Sequence, residues 1–189
     1  MFYRSLSFIA ACSLMLIGCD SGAEGPVQQQ ESLGADKQLL SGEIDRTFAG
    51  TAMPSVELTH TDGSTMDLAE LKGTPVLVNA WATWCAPCVV EMPMLDNLVD
   101  EMGDSVRVLT VSQDLTGAEA VAPFFAKHKY RNLQPWMDRQ NVLGFSFGGM
   151  SLPMTVLYDA KGQEVFRIMG GYEWDSEEAQ AQIAEALEE

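Results

Sequence analysis

The chain has 189 residues, 47% of them hydrophobic, which is enough for one ordinary domain with a full core and some additional chain. Acidic residues outnumber basic ones by 27 to 11, and the formal net charge is −16. Because nucleic-acid binding requires basic surface to neutralise phosphates, this composition argues against a nucleic-acid partner; it favours solubility or the steering of basic partner proteins.

The first segment, residues 1–18, is typical of a secretory signal. Its apolar run over residues 6–17 is too short for the roughly 20 residues of a membrane-spanning helix. The run ends in LIGC, residues 16–19, which resembles the lipobox of bacterial lipoproteins and implies acylation of Cys19. Asp20 resembles the inner-membrane retention signal of enterobacterial lipoproteins. We therefore expect a lipid-anchored protein on the periplasmic face of the inner membrane; the alternative is an ordinary signal peptide with a chance cysteine.

The mature chain is predicted to begin with a tether and to continue into one domain. Residues 19–46 are mostly rich in Gly, Gln, Ser and acidic residues, and this composition predicts a flexible tether. The folded domain is expected over residues 47–189. At its start, residues 54–68 alternate in polarity around Asp62-Gly63, a pair that favours a β-hairpin.

Three consecutive stretches predict a βαβ unit. Residues 75–82 are almost continuously apolar, as expected of a buried central strand. Residues 86–102 predict a helix, and residues 106–112 predict a second apolar strand. A strand, a helix and a strand at this spacing indicate parallel strands joined by a right-handed crossover.

The remainder of the domain predicts two further helices, a hairpin and a closing helix. The two helices are expected over residues 117–130 and 139–147. Residues 154–169 contain two β-rich runs around DAKG and indicate an antiparallel hairpin. Residues 175–189 predict a final helix with Asp175 in the N-terminal capping position.

Two of the four cysteines, Cys85 and Cys88, remain as a pair in the mature domain, because Cys12 lies in the signal and Cys19 would carry the lipid. In exported proteins, paired cysteines are usually structural disulfides. A disulfide stabilises a fold mainly through the loop that it closes in the unfolded chain. A bond between residues only three positions apart therefore contributes little stability.

A metal site at this pair has little support. Structural zinc requires about four ligands, and only two histidines, His60 and His128, accompany the thiolates, without ligand spacing. Copper(I) prefers thiolates and thioethers and stays open as an alternative, although methionine more often fills gaps in a core. Four methionines near the pair in sequence keep copper open: Met92, Met94, Met150 and Met154. We expect no metal and no organic cofactor.

The position of the pair favours reversible redox chemistry. Cys85 follows the C-terminal end of a predicted parallel strand, where α/β folds place their active sites. It also lies where a helix begins, and the helix dipole and free N–H groups favour a thiolate there. Cys85 is then the exposed, attacking sulfur, and Cys88, one turn further inward, resolves the mixed disulfide.

The run WATWCAPC, residues 81–88, resembles the active site of thioredoxin-like proteins. The longer run GTPVLVNAWATWCAPCVVEMP, residues 73–93, resembles membrane-anchored thiol:disulfide oxidoreductases of the TlpA/ResA/CcmG type. The resemblance covers about residues 47–189. It implies an α/β, thioredoxin-like fold: a central mixed sheet flanked by helices, with an N-terminal β-hairpin extension and an inserted helix.

The same resemblance implies a client-binding surface around the cysteines. Pro153 matches a cis-proline that faces the pair and presents the backbone of Leu152 to an incoming cysteine peptide. Trp84 matches a tryptophan that packs beside the disulfide, and Pro87 lies between the two cysteines. The alternatives are an ordinary trans proline at position 153 and a core aromatic at position 84.

Two further positions bear on proton transfer. Glu91 matches a glutamate that is typical of the TlpA/ResA-type site, where it would raise thiol pKa values or take the proton from Cys88. The alternative is a solvated helix glutamate. Thioredoxins proper have a buried aspartate under the resolving cysteine, and this chain has Asn79 at that place, which puts a thioredoxin-style proton relay in doubt.

These observations predict a lipid-tethered enzyme that reduces oxidised cysteine pairs in exported proteins. The resemblance implies electrons from a membrane thiol carrier of the DsbD/CcdA kind and clients such as apocytochromes c or copper-site cysteines in oxidase assembly. An oxidant or isomerase of the DsbA/DsbC kind, a peroxidase and a non-catalytic copper(I) carrier are the alternatives. The direction of electron flow depends on the reduction potential.

Overall fold

The computed structural model describes residues 38–149 and 151–188. The predicted signal peptide, Cys19, most of the predicted tether and Met150 lie outside the described residues. The strands are β1 (Glu43–Asp45), β2 (Glu57–His60), β3 (Thr65–Asp67), β4 (Val76–Trp81), β5 (Arg107–Ser112), β6 (Trp136–Met137), β7 (Met154–Tyr158) and β8 (Glu164–Met169). The α-helices are α1 (Ala86–Met102), α2 (Ala118–His128), α3 (Val142–Ser146) and α4 (Glu177–Glu188).

The strands form one mixed sheet in the order β1-β8-β7-β4-β5-β6-β2-β3. β4 is parallel to β5 and antiparallel to β7, and β5 is parallel to β6. The hairpin β2–β3 extends the sheet at one edge, where β2 pairs antiparallel with β6. The predicted βαβ unit, both hairpins and the α/β, thioredoxin-like architecture are therefore confirmed.

The sequence of β4 explains how the sheet is covered on both faces. All six of its residues are buried, and its five apolar side chains divide between two hydrophobic clusters on opposite faces of the sheet. Leu77 and Trp81 belong to the cluster that contains α1, α2 and α4. Val76, Val78 and Ala80 belong to the cluster beneath the β2–β3 hairpin and α3. A continuous apolar run thus becomes the central strand, as predicted.

The folded part of the chain begins earlier than residue 47. Residues 43–45, inside the predicted tether, form β1, and Ile44 pairs with Ile168 of β8. Ile44 also packs against the cluster that contains α1. The average polarity of residues 19–46 indicates a tether, and one inward-facing isoleucine among polar neighbours does not change that average.

Three other details differ from the predictions. β6 is only two residues long and shows no usable periodicity. α3 covers five residues, fewer than the predicted helix over 139–147. The hydroxyl of Ser176 accepts a hydrogen bond from the backbone N–H of Ala179 at the start of α4, whereas the carboxylate of Asp175 accepts one from Asn97. None of the helices in the described residues is long and apolar enough to cross a membrane.

Candidate active site

A disulfide joins Cys85 and Cys88 at the start of α1, with 5.3 Å between their Cα atoms. Cys85 is the N-cap of this helix, and its Sγ accepts a hydrogen bond from the backbone N–H of Cys88 at 3.3 Å. Pro87 lies in the first turn, where a helix has no partner for its N–H groups in any case. The structure therefore shows the oxidised form of the predicted redox pair.

The two sulfur-bearing residues differ in exposure. Cys85 retains 5% of its surface, and Cys88 retains none. Trp84, immediately before the pair, is 71% exposed, so the alternative that it is a core aromatic is wrong. A protein thiol that approaches this edge of the sheet meets Cys85 first, and this order agrees with the predicted roles of attacking and resolving cysteine.

The peptide bond between Leu152 and Pro153 is cis, as predicted. Pro153 is buried, and its carbonyl oxygen accepts a hydrogen bond from Gly170 N–H at 2.9 Å. β7 begins directly after it, and Met154 pairs with Ala80 near the carboxyl end of β4. Pro153 therefore lies at the same edge of the sheet as the disulfide, and Leu152 packs against the cluster that includes both cysteines.

Glu91 is fully buried on the inner face of α1, so the alternative of a solvated helix glutamate is wrong. Its Oε1 accepts a hydrogen bond from Asn79 Nδ2 at 2.7 Å. Its Oε2 accepts hydrogen bonds from the backbone N–H of Tyr172 at 3.0 Å and from Nε1 of Trp174 at 3.1 Å. Glu91 and Cys88 are three residues apart on α1 and so share one face of the helix.

The environment of Glu91 brings the pKa of its carboxyl close to neutral pH. Burial raises the pKa of the carboxyl from its ordinary value of 4.5 to about 7, against the opposing effect of the three hydrogen-bond donors. A carboxyl with this pKa exists as both acid and base at physiological pH, as a proton acceptor in exchange chemistry requires.

Asn79 connects Glu91 to the neighbouring strand. Its Nδ2 donates to Glu91 and, at 2.8 Å, to the hydroxyl of Thr155 on β7. Its Oδ1 is buried and has no hydrogen-bond partner among the described residues. The place of the thioredoxin aspartate is thus taken by a neutral amide, and the ionisable group of the site is supplied by α1 instead.

Four residues of the site were not predicted from the sequence: Asp114, Thr155, Tyr172 and Trp174. All but Asp114 contact Glu91 or Asn79 and come from the C-terminal half of the chain, so only the folded topology brings them to the site. Asp114 follows β5, and its carboxylate accepts a hydrogen bond from the backbone of Thr83 in the loop before Cys85. Its position after the strand parallel to β4 is the signal that could have identified it.

The described residues contain no group of three or more His, Cys, Asp or Glu side chains that could hold a metal ion. His60 lies on β2 beside Trp136, and His128 stacks on Phe124 at the end of α2. Met92 lies in the same hydrophobic cluster as both cysteines, whereas Met154 lies in the other cluster, so the two methionines do not gather on one side of the sheet.

A disulfide at the first turn of a helix, at the carboxyl end of β4 and at the same edge of the sheet as a cis-proline, is typical of a thiol:disulfide oxidoreductase with a thioredoxin-like fold. The chain belongs to the Redoxin family, whose model matches residues 48–184.

Named relatives agree with this class. The chain is 30% identical over 151 residues to the thiol-disulfide oxidoreductase ResA of Bacillus anthracis, covering 79% of this chain and 82% of that protein. It is 34% identical over 125 residues to the thiol:disulfide interchange protein DsbE of Pseudomonas fluorescens biotype C, covering 66% of each. The solved structure of the exposed lipoprotein thioredoxin Etrx1 of Streptococcus pneumoniae is similar with a TM-score of 0.56 and 30% identity, covering 71% of this chain and 100% of that one.

Proposed function

We propose that the protein is a periplasmic reductase of oxidised cysteine pairs in exported proteins, held at the inner membrane by a lipid on Cys19. The observation that carries the proposal is the arrangement of the pair at the start of α1. Cys85 is at the surface edge and Cys88 is buried behind it. Such a pair can attack a client with one sulfur and release it with the other.

The proposed reaction transfers two electrons. The Cys85 thiolate attacks one sulfur of a client disulfide, so that a mixed disulfide forms and the first client thiolate leaves. Cys88 then loses its proton and attacks the Cys85 sulfur, which forms the Cys85–Cys88 disulfide and expels the second client thiolate. The client disulfide is reduced, the protein dithiol is oxidised, and two protons end on the client thiols.

Glu91 serves as the proton acceptor for Cys88 in this proposal. The resolving thiol must be deprotonated inside the protein, because Cys88 has no exposed surface. Glu91 lies on the same face of α1 and has a pKa of about 7, so it can accept the proton and later release it.

Clients are proposed to bind across the exposed apolar surface at this edge. Trp84 and Leu115 are each 71% exposed, although side chains of this type are normally buried. The backbone of Leu152, before the cis-proline, would pair with an extended client segment. The cysteine of the client would then lie beside Cys85. The fit of the client's neighbouring side chains to the apolar surface would determine which clients bind.

The proposed location and partners are inferred from the N-terminal residues and from similar proteins. LIGC, residues 16–19, matches a lipobox, and the similar protein Etrx1 is itself described as an exposed lipoprotein. We propose a membrane thiol carrier of the DsbD/CcdA kind as the dithiol that reduces the oxidised protein. Apocytochromes c and copper-site cysteines of oxidases are the proposed clients.

The reductase is favoured over an oxidant of the DsbA kind by the segment between β5 and β7. It contains α2, β6 and α3, and this span is too short for the helical domain that DsbA-type proteins insert. The copper(I) carrier has less support, because Met92 and Met154 pack in different clusters.

Two experiments test the proposal. The reduced wild-type protein should reduce insulin with turnover when a chemical dithiol regenerates it, whereas a copper carrier would show no turnover. In cells, Cys88→Ala should trap mixed disulfides on Cys85, and Cys85→Ala should trap none. Recovery of cytochrome or oxidase subunits from the trap supports the reductase; recovery of misfolded secreted proteins alone would favour an isomerase.

A further inference from the structure

Asp114 is a buried carboxylate that takes no part in the proton transfer described above. It lies two residues beyond the end of β5 and is 4% exposed. Its Oδ2 accepts hydrogen bonds from the backbone N–H of Thr83 at 2.9 Å and from the hydroxyl of Ser112 at 2.7 Å. Its Oδ1 accepts one from the hydroxyl of Thr83 at 2.8 Å.

These bonds explain why a carboxylate occupies the position. A buried charge is costly unless it is hydrogen-bonded, and here three donors serve the two oxygens. Two of the three donors belong to Thr83. The main structural effect of Asp114 is therefore to fix Thr83, which lies two residues before the attacking Cys85.

The loop from β4 to α1 has few other restraints. Gln113 N–H donates to the carbonyl oxygen of Trp81 at 2.8 Å, and Cys85 N–H donates to that of Ala82 at 3.1 Å. Between these points only Asp114 connects Thr83 to the end of β5 among the described residues. Trp84 is 71% exposed and receives little orientation from packing, so its direction depends on the backbone that precedes it.

We propose that Asp114 is a positioning residue for thiol–disulfide exchange: through Thr83 it sets the direction of Trp84 and of the Cys85 sulfur toward a protein client. Asp114 acts on the attacking cysteine, whereas Glu91 lies on the buried face of α1 and is hydrogen-bonded to β4 and to the C-terminal segment. The inference rests on exchange at Cys85, but not on its direction in the cell.

The experiment compares full-length variants in mild detergent after reduction of the disulfide. Asp114→Ala removes all three acceptor bonds. Asp114→Asn keeps one oxygen for the Thr83 N–H, and its amide can donate to the Thr83 hydroxyl. Thr83→Val removes the hydroxyl bond alone and serves as the milder variant if Asp114→Ala fails to fold.

Asp96→Ala is the matched control. Asp96 is also a buried carboxylate that fixes a loop, and it accepts hydrogen bonds from the backbone N–H groups of three consecutive residues: Arg131, Asn132 and Leu133. Asp96 lies ten residues beyond Ala86, the first residue of α1, and so is away from the disulfide. Its loss should lower stability without changing exchange in the fraction that is folded.

The measured quantities are the rate constants for reduction of insulin and of a small aromatic disulfide. Asp114→Ala should slow insulin reduction by about 10- to 100-fold, because a client docked on Trp84 holds its disulfide in one place, and displacement of the Cys85 sulfur by about 1 Å from that place has an effect of that size. It should slow the small disulfide by less than about threefold, since that substrate is not held by Trp84 and can approach the displaced sulfur freely. Thr83→Val should give a smaller loss with insulin, while Asp114→Asn and Asp96→Ala should stay within about threefold of wild type.

Three results would overturn the proposal. The first is that Asp114→Ala reduces insulin at the wild-type rate. If Asp114→Ala does not fold, the same result with Thr83→Val counts instead. The second is an equal loss with insulin and with the small disulfide. The third is an equal loss in Asp96→Ala. A wild-type protein that fails to reduce insulin would instead contradict the reductase function itself, so the two failures are distinguishable.

Discussion

Glu91 shows how one buried side chain acquires chemistry from its surroundings. Burial favours the neutral acid, and the donors Asn79, Tyr172 N–H and Trp174 favour the carboxylate. When Glu91 is protonated, its hydroxyl needs an acceptor, and Oδ1 of Asn79 is a buried acceptor that has no donor among the described residues. A rotation of the Asn79 amide would supply that acceptor, so the same pair of residues can serve both protonation states.

The pH dependence of stability should therefore carry a signature of Glu91. Its folded-state pKa of about 7 lies above its ordinary value of 4.5, so the folded protein binds more protons than the unfolded chain between these pH values. The free energy of unfolding should fall by about 3 kcal/mol as pH rises from 4.5 to 7, through this group alone. Glu91→Gln should lack this fall.

The measurement is urea unfolding of the oxidised wild type and of Glu91→Gln at several pH values. The many exposed acids contribute equally to both proteins, so the difference between the two curves isolates Glu91. Parallel curves across this pH range would show that the buried carboxyl does not titrate near neutrality.

The local sequence was sufficient to predict the reacting side chains, but not the residues that form hydrogen bonds with them. The spacing of Cys85 and Cys88 and their place after an apolar strand predicted the disulfide, and the family motif predicted Glu91. Trp174 is 83 residues beyond Glu91 in sequence, and no local pattern marks an indole N–H as a carboxylate partner. Such contacts follow from tertiary packing alone.

At the scale of elements, the segment that follows β8 connects the start of the domain to Glu91. Gly171 accepts a hydrogen bond from Gly42 N–H at 2.9 Å, and the next residues provide Tyr172 N–H and Trp174 Nε1. A Cβ on Gly171 would lie 2.7 Å from the carbonyl oxygen of Leu39. A glycine is therefore required where the N-terminal segment crosses this turn.

Gly171→Ala should disturb both the contact and the site. We expect a loss of about 1–3 kcal/mol in unfolding free energy, because backbone must move to admit the methyl group. Displacement of Tyr172 N–H and Trp174 Nε1 should raise the pKa of Glu91 further, because both of these donors favour the carboxylate. Gly149→Ala is the control, since a Cβ there meets nothing within 4 Å. Equal stability of the two variants in urea unfolding would contradict the proposed contact.

The long elements were predicted from their own residues, and the short β2–β3 hairpin was predicted from its Asp-Gly turn, but the short strands β1 and β6 were not predicted. β4 and α1 are long enough for buried positions to form a pattern, so their predicted bounds are within one residue of the structure. β1 and β6 have three and two residues, and they exist because neighbouring strands offer free edges. Their formation depends on the completed sheet, not on local preference.

At the scale of the whole molecule, the chain enters the sheet on the side of the active site. Glu43 pairs with Met169, Met169 pairs with Met154, and Met154 pairs with Ala80 at the carboxyl end of β4. A lipid on Cys19 would therefore connect to the domain at the edge that carries the disulfide. In the proposed anchored form, this geometry would suit exchange with a partner embedded in the membrane.

The anchor can be tested by substitution. Wild-type protein should sediment with membranes and be released by detergent but not by high salt, because acyl chains bind through hydrophobic burial. Cys19→Ser should appear in the soluble periplasmic fraction. Cys12→Ser, within the predicted signal, is the control and should leave the protein on the membrane. Immunoblots of cell fractions provide the measurement, and soluble wild-type protein would contradict lipidation.

The proposed donation of electrons from the Cys85–Cys88 couple to client disulfides is tested by the reduction potential of the purified protein, measured by equilibration with defined mixtures of a dithiol and its disulfide. We expect a value near that of thioredoxin, about −270 mV. A value near that of the oxidant DsbA, about −120 mV, or a bond that strong reductant leaves intact, would contradict it.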